Sequence, residues 1–211
     1  MIATEYFGLS LRLATVVVPV GLYFLILGFL NSRKHPQVLS GRLDFALLAT
    51  AVSPLFVLPI LRYVGISPAT IFAAAGCIAG VILLLGPRGH TWVIYNISRT
   101  QARSAVARAL RDIGAGFEES KTGFRLTDNG CLLEISGFSL LRNVSLKLRG
   151  ADKRPSSRFE KALLSSVGSI TAEANPAGVS MLLVATGMLA APLALMARKV
   201  PEIVRLLTDM F

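Results

Sequence analysis

The acidic side chains between residues 88 and 173 are candidate catalytic groups, because paired carboxylates can act as general acid and base. Asp112 falls at the end of a predicted helix, Glu160 suits a helix-capping position, and Glu134 lies on the outer face of a predicted strand. The other acids are scattered, and no Gly-rich phosphate loop, nucleophile elbow or His–acid pair accompanies them. We therefore predict that the chain is not an enzyme and has no catalytic residues.

Histidine and cysteine, the usual ligands of transition metals, are few and separated. His35 and His90 each flank an apolar segment, and neither belongs to a cluster with metal-ligand spacing. Cys77 lies in an apolar segment and Cys131 in a predicted strand, so the two thiols are expected in different layers of the molecule. The sequence therefore predicts no metal site, no cofactor and no disulfide.

Basic side chains are the strongest candidates for binding. Those within a few residues of the predicted bilayer edge are Arg33, Lys34, Arg42 and Arg88. Cations at this depth contact anionic lipid headgroups, and a basic collar of this kind could also dock an acidic partner. Aromatic residues do not interleave with the basic ones as they do in single-strand binders, so we expect no nucleic acid partner.

A second basic group points to a different kind of site. Asn143–Arg149 alternates apolar and polar residues, which places Lys147 and Arg149 on the wet face of a strand, with Arg142 nearby. Such groups bind small anions or nucleotides through charge-assisted hydrogen bonds. This keeps open a sensor or regulator as an alternative function.

The elements that must position these residues are dominated by apolar segments. Of the 211 residues, 53% are hydrophobic and 16% charged, whereas a soluble domain has about 25% charged residues. Stretches without Asp, Glu, Lys or Arg lie at about 13–32, 45–61, 66–86 and 174–197. As helices they can cross a hydrocarbon core of about 30 Å. We therefore predict an α-helical polytopic membrane protein with about four transmembrane helices.

The spans contain no Asp, Glu, Lys, Arg or His, which disfavours ion-coupled transport because such transport relies on charged groups within the membrane. Pro54 and Pro59 predict a kink in the second span and leave a passive channel or carrier as a further alternative.

Small residues recur at helical spacing in three of the spans. One face each is formed by Ala14, Gly21 and Gly28, by Ala69, Ala73, Gly76 and Gly80, and by Gly187, Ala190 and Ala194. Gly76 and Gly80 have the spacing that lets two helix backbones approach closely. Two interpretations stay open: the four helices pack on one another through these faces, or one face receives a helix from another protein.

Residues 88–173, between the third and fourth spans, predict one small basic α+β domain with the element order β-α-β-β-β-β-α. Residues 91–97 are β-branched and aromatic, and Ser98 with Gln101 fits a capping box at the start of a helix. Both helices are expected on one side of an antiparallel or mixed sheet, and a ferredoxin-like variant is one candidate.

The predicted organisation has three parts. Residues 1–87 form a membrane region with three spans, and residues 88–173 form the soluble domain. Residues 174–211 form the fourth span and a short amphipathic C-terminal helix.

Orientation follows from Lys and Arg in the short loops. The loop after the first span is the richer one, whereas the loop after the second holds only Arg62, which places the first loop and the domain in the cytoplasm. Arg198 and Lys199 follow the fourth span and oppose this orientation, so a re-entrant fourth segment remains an alternative. A prokaryotic cytoplasmic membrane is the default location, since the N-terminus does not resemble a cleaved signal.

These observations favour a non-catalytic integral membrane protein: an accessory or scaffolding subunit of a larger membrane complex, which packs through small-residue helix faces and presents a basic cytoplasmic domain. Its expected partners are anionic headgroups together with other membrane protein subunits or a second copy of itself. The alternative is a membrane-embedded sensor or regulator whose cytoplasmic domain binds a small anion or nucleotide.

Overall fold

A computed structural model describes residues 2–65, 67–87, 90–127, 130–138, 141–150, 157–173, 175–197 and 200–201. Its helices are α1 (Ile2–Ser32), α2 (Gly41–Val64), α3 (Pro68–Leu85), α4 (Arg99–Asp112), α5 (Ser157–Gly168) and α6 (Pro176–Ala197). Its strands are β1 (Gln37–Ser40), β2 (Thr91–Tyr95), β3 (Phe117–Ser120), β4 (Gly123–Leu126), β5 (Leu132–Phe138) and β6 (Asn143–Arg149). Arg88 and almost all of the predicted amphipathic C-terminal helix lie outside the described residues.

Four helices are long and apolar enough, by length and composition, to cross a membrane. The corresponding segments are Leu13–Ser32, Gly41–Val64, Pro68–Leu85 and Pro176–Ala194. The prediction of four long apolar helices is therefore confirmed. The helix that carries the first segment, α1, begins at Ile2 and thus extends well before the predicted span.

Local capping fixes where two of these helices begin. The Ser40 side chain accepts a hydrogen bond from the Leu43 amide, so α2 starts four residues before the predicted uncharged stretch. Ser67 and Thr70 form a reciprocal capping box, and Pro68 occupies the first turn of α3, where its missing N–H costs no hydrogen bond.

The six strands form one antiparallel sheet with the order β1-β2-β6-β5-β4-β3. The five strands and two helices between residues 90 and 173 follow the predicted element order. The ferredoxin-like candidate is wrong, because that fold has the order β-α-β-β-α-β with parallel βαβ units. Here four strands run consecutively between the two helices, and β2 pairs with β6.

The sheet takes its edge strand from outside the predicted domain. Gln37–Ser40, which lies in the loop between α1 and α2, pairs antiparallel with β2, and Val38 stands opposite Ile94. No strand was predicted in this loop. Its pairing brings the first interhelical loop and the 88–173 segment into a single sheet.

One face of the sheet holds the main core. Helices α4 and α5 both pack there, around residues such as Ile94, Leu146, Val106 and Leu163, all at most 1% exposed. The amphipathic pattern of α4 explains this placement, because its Ala and Val positions share one face while its arginines lie mostly off it. The predicted capping box of Ser98 and Gln101 is present.

The opposite face of β2 meets the apolar helices. Leu27 of α1 packs with Val93 and Tyr95 in a second buried cluster. The residues packed around it are Tyr23, Leu30, Leu39 and Met181. Strand β2 is therefore buried on both faces, between α4 and α5 on one side and α1 and α6 on the other.

Candidate functional site

Three of the four predicted headgroup contacts lie at helix ends that adjoin the sheet. Arg33 and Lys34 directly follow α1, Arg42 lies in the first turn of α2, and all three are exposed. The Arg33 guanidinium carbon lies 4.5 Å from the centroid of the Phe29 ring, and Phe29 is itself 52% exposed. The cation is thus held beside an exposed aromatic ring at the end of an apolar helix.

The predicted small-residue face of α1 packs against α6. Ala14, Gly21 and Gly28 are all buried. A Cβ atom on Gly28 would lie 2.8 Å from Leu182 Cγ and 2.9 Å from the Gly178 carbonyl oxygen. A Cβ on Gly21 would lie 3.0 Å from Leu189. The two backbones approach so closely that only glycine fits without movement at Gly28, as expected for small-residue helix packing.

The predicted small-residue faces of α3 and α6, unlike that of α1, are not packed against another described helix. Ala69, Ala73 and Gly76 are exposed, and no residue of α3 is buried within the described chain. No described atom lies within 4 Å of the Cβ position of Gly76, of Gly80 or of Gly187.

Helix α6 turns a different face to α1 from the one its small residues predicted. Ala190 and Ala194 are exposed, like Gly187. The α6 residues nearest to Gly21 and Gly28 of α1 are Gly178, Leu182, Met188 and Leu189. Spacing therefore identified helix faces but not which of them finds a partner within the chain.

Buried asparagines tie the sheet to the ends of α1 and α6. Asn96, fully buried just after β2, donates from Nδ2 to the carbonyl oxygens of Arg33 (2.8 Å) and Glu173 (3.2 Å). Asn31, also fully buried, donates to the Leu27 carbonyl at 2.9 Å, and its own carbonyl accepts from the Asn175 amide at 3.3 Å. The turn after β2 is thereby hydrogen-bonded to the residues that follow α1 and precede α6.

The asparagine junction was not predicted from the sequence. The available signal was the presence of Asn31 at the end of an apolar segment and of Asn96 between a strand and a helix cap. Asn96 has φ +57°, a conformation that asparagine tolerates better than most residues, which explains the choice of side chain at this turn.

A second polar contact joins β2 to α2. The Tyr95 hydroxyl donates a hydrogen bond to Asp44 Oδ1. Burial of the ring, and then the hydrogen bond and negative charge of Asp44, raise the pKa of Tyr95 above its ordinary value. The tyrosine therefore stays protonated and remains a donor to the carboxylate throughout the physiological pH range.

The basic residues of the predicted anion site do not come together. Arg149 Nε lies 2.9 Å from Glu134 Oε2, and Lys147 stands opposite Glu134 in the strand register. Arg142 lies beyond the other end of β6. The structure brings Arg142 instead to a cavity of about 280 Å³, whose other polar lining residues are Ser98, Arg99 and Asn143.

The two sides of this cavity are joined by the backbone. The Ile97 amide donates to the Arg142 carbonyl at 2.7 Å, so the turn before α4 is held against the turn before β6. Both turns contain a non-glycine residue with positive φ, Asn96 and Arg142, and these are the only two such residues in the described chain. Phe138, 57% exposed, completes the wall.

Within the described residues, no three or more His, Cys, Asp or Glu side chains are grouped so that they could hold a metal ion. The comparisons add no identity: no protein-family model, no curated protein and no solved structure matches this chain.

Proposed function

We propose that the chain is a non-catalytic integral membrane protein, an accessory or scaffolding subunit that uses α3 to pack against a helix of another membrane protein. One observation carries this proposal. The glycine face of α1 is filled by α6, whereas the face of α3 with the tighter Gly76–Gly80 spacing has no described neighbour.

The physical reason lies in how helices associate in lipid. Lipid tails are as apolar as leucine, so helix association there depends on close backbone approach at small residues. The α1–α6 pair provides an internal example, because Gly28 allows van der Waals contact with Gly178 and Leu182. The α3 face offers small residues at helical spacing to a helix that the described part of the chain does not supply.

The proposed placement puts the sheet on the cytoplasmic side of a bilayer crossed by four helices. Support comes from the four apolar helices and from the cations at the sheet end of α1 and α2, Arg33, Lys34 and Arg42. In this placement the three cations contact anionic headgroups, and the Phe29 ring beneath Arg33 lies at the boundary of the hydrocarbon.

The test is a double substitution, Gly76→Ile with Gly80→Ile, compared with Ala75→Ile. Ala75 is exposed on the same helix but lies off the small-residue face, so it controls for the added bulk. We expect the wild type and A75I to retain a stoichiometric partner or a second copy in mild detergent, and the double variant to lose it. Native mass spectrometry and light scattering measure the assembly.

A wild-type protein that is a monodisperse monomer with no bound protein would overturn the proposal. So would a double variant that keeps its partner as well as A75I does.

A second candidate function is a membrane-embedded regulator that binds a small anion or nucleotide. The cavity lined by Arg99 and Arg142 favours it.

A further inference from the structure

We infer that the cavity between the start of α4 and the turn before β6 binds a phosphate-type oxyanion, either free phosphate or the phosphate of a monoester or lipid headgroup. This inference concerns the second candidate function and does not depend on helix docking at α3. It rests on the basic lining of the cavity, on an unsatisfied amide and on the size of the space.

The lining carries two guanidinium groups and no acid among the described residues. The ion pair of the described chain is Arg149 with Glu134, so neither Arg99 nor Arg142 has a carboxylate partner there. Arg99 makes one long contact, 3.4 Å to the Lys121 carbonyl, which leaves most of its donors available. Arginine suits phosphate because its planar fork can donate two parallel hydrogen bonds.

One neutral polar atom of a lining residue, the side-chain oxygen of Asn143, also has no hydrogen-bond partner among the described residues. This oxygen, Oδ1, is buried. A buried amide in this state costs free energy. The oxygen itself is closed to solvent, so a bound oxyanion would use this amide only after a rotation of the side chain that brings Nδ2 to the cavity as a donor.

The volume of the cavity limits the size of the ligand. A cavity of about 280 Å³ lies near the lower end of the range for small-molecule sites, roughly 300–1,000 Å³. It accommodates a phosphate with a small organic group. The exposed ring of Phe138 lies at its wall, where such a group would pack.

Three hydrogen bonds connect the cavity to the ends of the apolar helices α1 and α6. The Ile97 amide binds the Arg142 carbonyl, and the preceding residue, Asn96, binds the carbonyls that follow α1 and precede α6. An anion held by Arg99 and Arg142 therefore stabilises the turn that joins the sheet to both helices.

The experiment uses the full chain in nanodiscs, because β1 makes residues 88–173 an incomplete sheet. In the first arm the discs contain zwitterionic lipid only, and inorganic phosphate or phenyl phosphate is added. In the second arm the discs contain phosphatidic acid and no soluble phosphate. Sodium chloride at matched ionic strength controls for screening. Thermal unfolding is followed by the fluorescence of Trp92, the single tryptophan, which lies in the core.

We expect saturating ligand to raise Tm by about 2–4 °C in at least one arm. A shift in the first arm identifies a soluble phosphate compound as the ligand, and a shift in the second arm alone identifies a headgroup. Either shift is expected to disappear in Arg142→Gln and in Arg99→Gln and to persist in Lys147→Gln, whose side chain is exposed on β6.

Absence of a shift in both arms would overturn the inference, as would a shift that persists in the two arginine variants. Arg99→Gln keeps the test decisive if Arg142→Gln does not fold, because Arg99 is an exposed residue in a helix. The measurement needs no partner protein, so its failure is distinct from a failure of the α3 proposal.

Discussion

Single polar residues hold the contact between the apolar helices and the sheet. Asn96 and Asn31 are fully buried. Asn96 donates to the carbonyls of Arg33 and Glu173, whereas Asn31 donates within α1 to Leu27 and accepts, through its backbone carbonyl, from the Asn175 amide. Sequence alone could not identify these roles. A lone asparagine beside an apolar segment looks like any turn residue until the chain brings a distant carbonyl to it.

Tyr95→Phe tests the polar contact between β2 and α2. The substitution removes the hydrogen bond to Asp44 and leaves the carboxylate without that donor, so we expect the free energy of unfolding to fall by about 1–3 kcal/mol. Because the pKa of Tyr95 is raised in the folded state, the stabilisation is fully present below the ordinary tyrosine value of 10.0 and is lost as pH rises beyond it. Denaturant unfolding at a series of pH values measures both effects.

The difference between wild type and Y95F is expected to stay constant from about pH 6 to 9 and to shrink above about pH 10. A variant as stable as wild type at neutral pH would show that the contact contributes nothing.

Helix faces show what spacing can and cannot predict. The alternation in β6, the capping box of α4 and the four apolar helices all follow from local patterns, and the structure contains each of them. Which small-residue face packs inside the chain depends on contacts between distant segments. Gly21 and Gly28 meet α6, whereas Gly76 and Gly187 have open space, although all four fit the same helical pattern.

Gly28→Leu and Gly187→Leu form a matched pair that tests this difference. The first places a side chain against Leu182 and the Gly178 carbonyl, so we expect a loss of about 1–3 kcal/mol or more of stability. The second places it in open space, and the purified chain is expected to unfold at the wild-type temperature. Thermal unfolding in one detergent compares them, and equal losses would contradict the α1–α6 packing.

The whole molecule is more interlocked than a soluble domain inserted between two spans. The first loop supplies β1 to the sheet, and α1 packs on α6 through one set of residues and on β2 through another. Strand β1 was not predicted, because four residues are too few for a clear strand pattern and its pairing partner lies beyond two apolar helices. The shared sheet is consistent with the expectation that the first loop and the domain lie on one side of the membrane.

Val38→Asp tests this interlocking. Val38 packs partly buried against the main core, so a carboxylate there would cost about 1–3 kcal/mol and lower the temperature at which Trp92 fluorescence reports unfolding. Gln37→Asp introduces the same charge at the adjacent position, whose side chain points to the other face of the sheet, and is expected to cost less. Equal effects would indicate that β1 adds nothing to the core.

The pairing of α1 with α6 also sets an order of events during synthesis. Helix α1 leaves the ribosome long before α6. Gly28 and Asn31 therefore lack their contact partners, Gly178 and Asn175, until the intervening helices and strands have been synthesised. Strand β1 likewise has no pairing partner until β2 has been synthesised. A chain that stopped before Pro176 would therefore carry an unfilled glycine face on α1 and an incomplete asparagine junction.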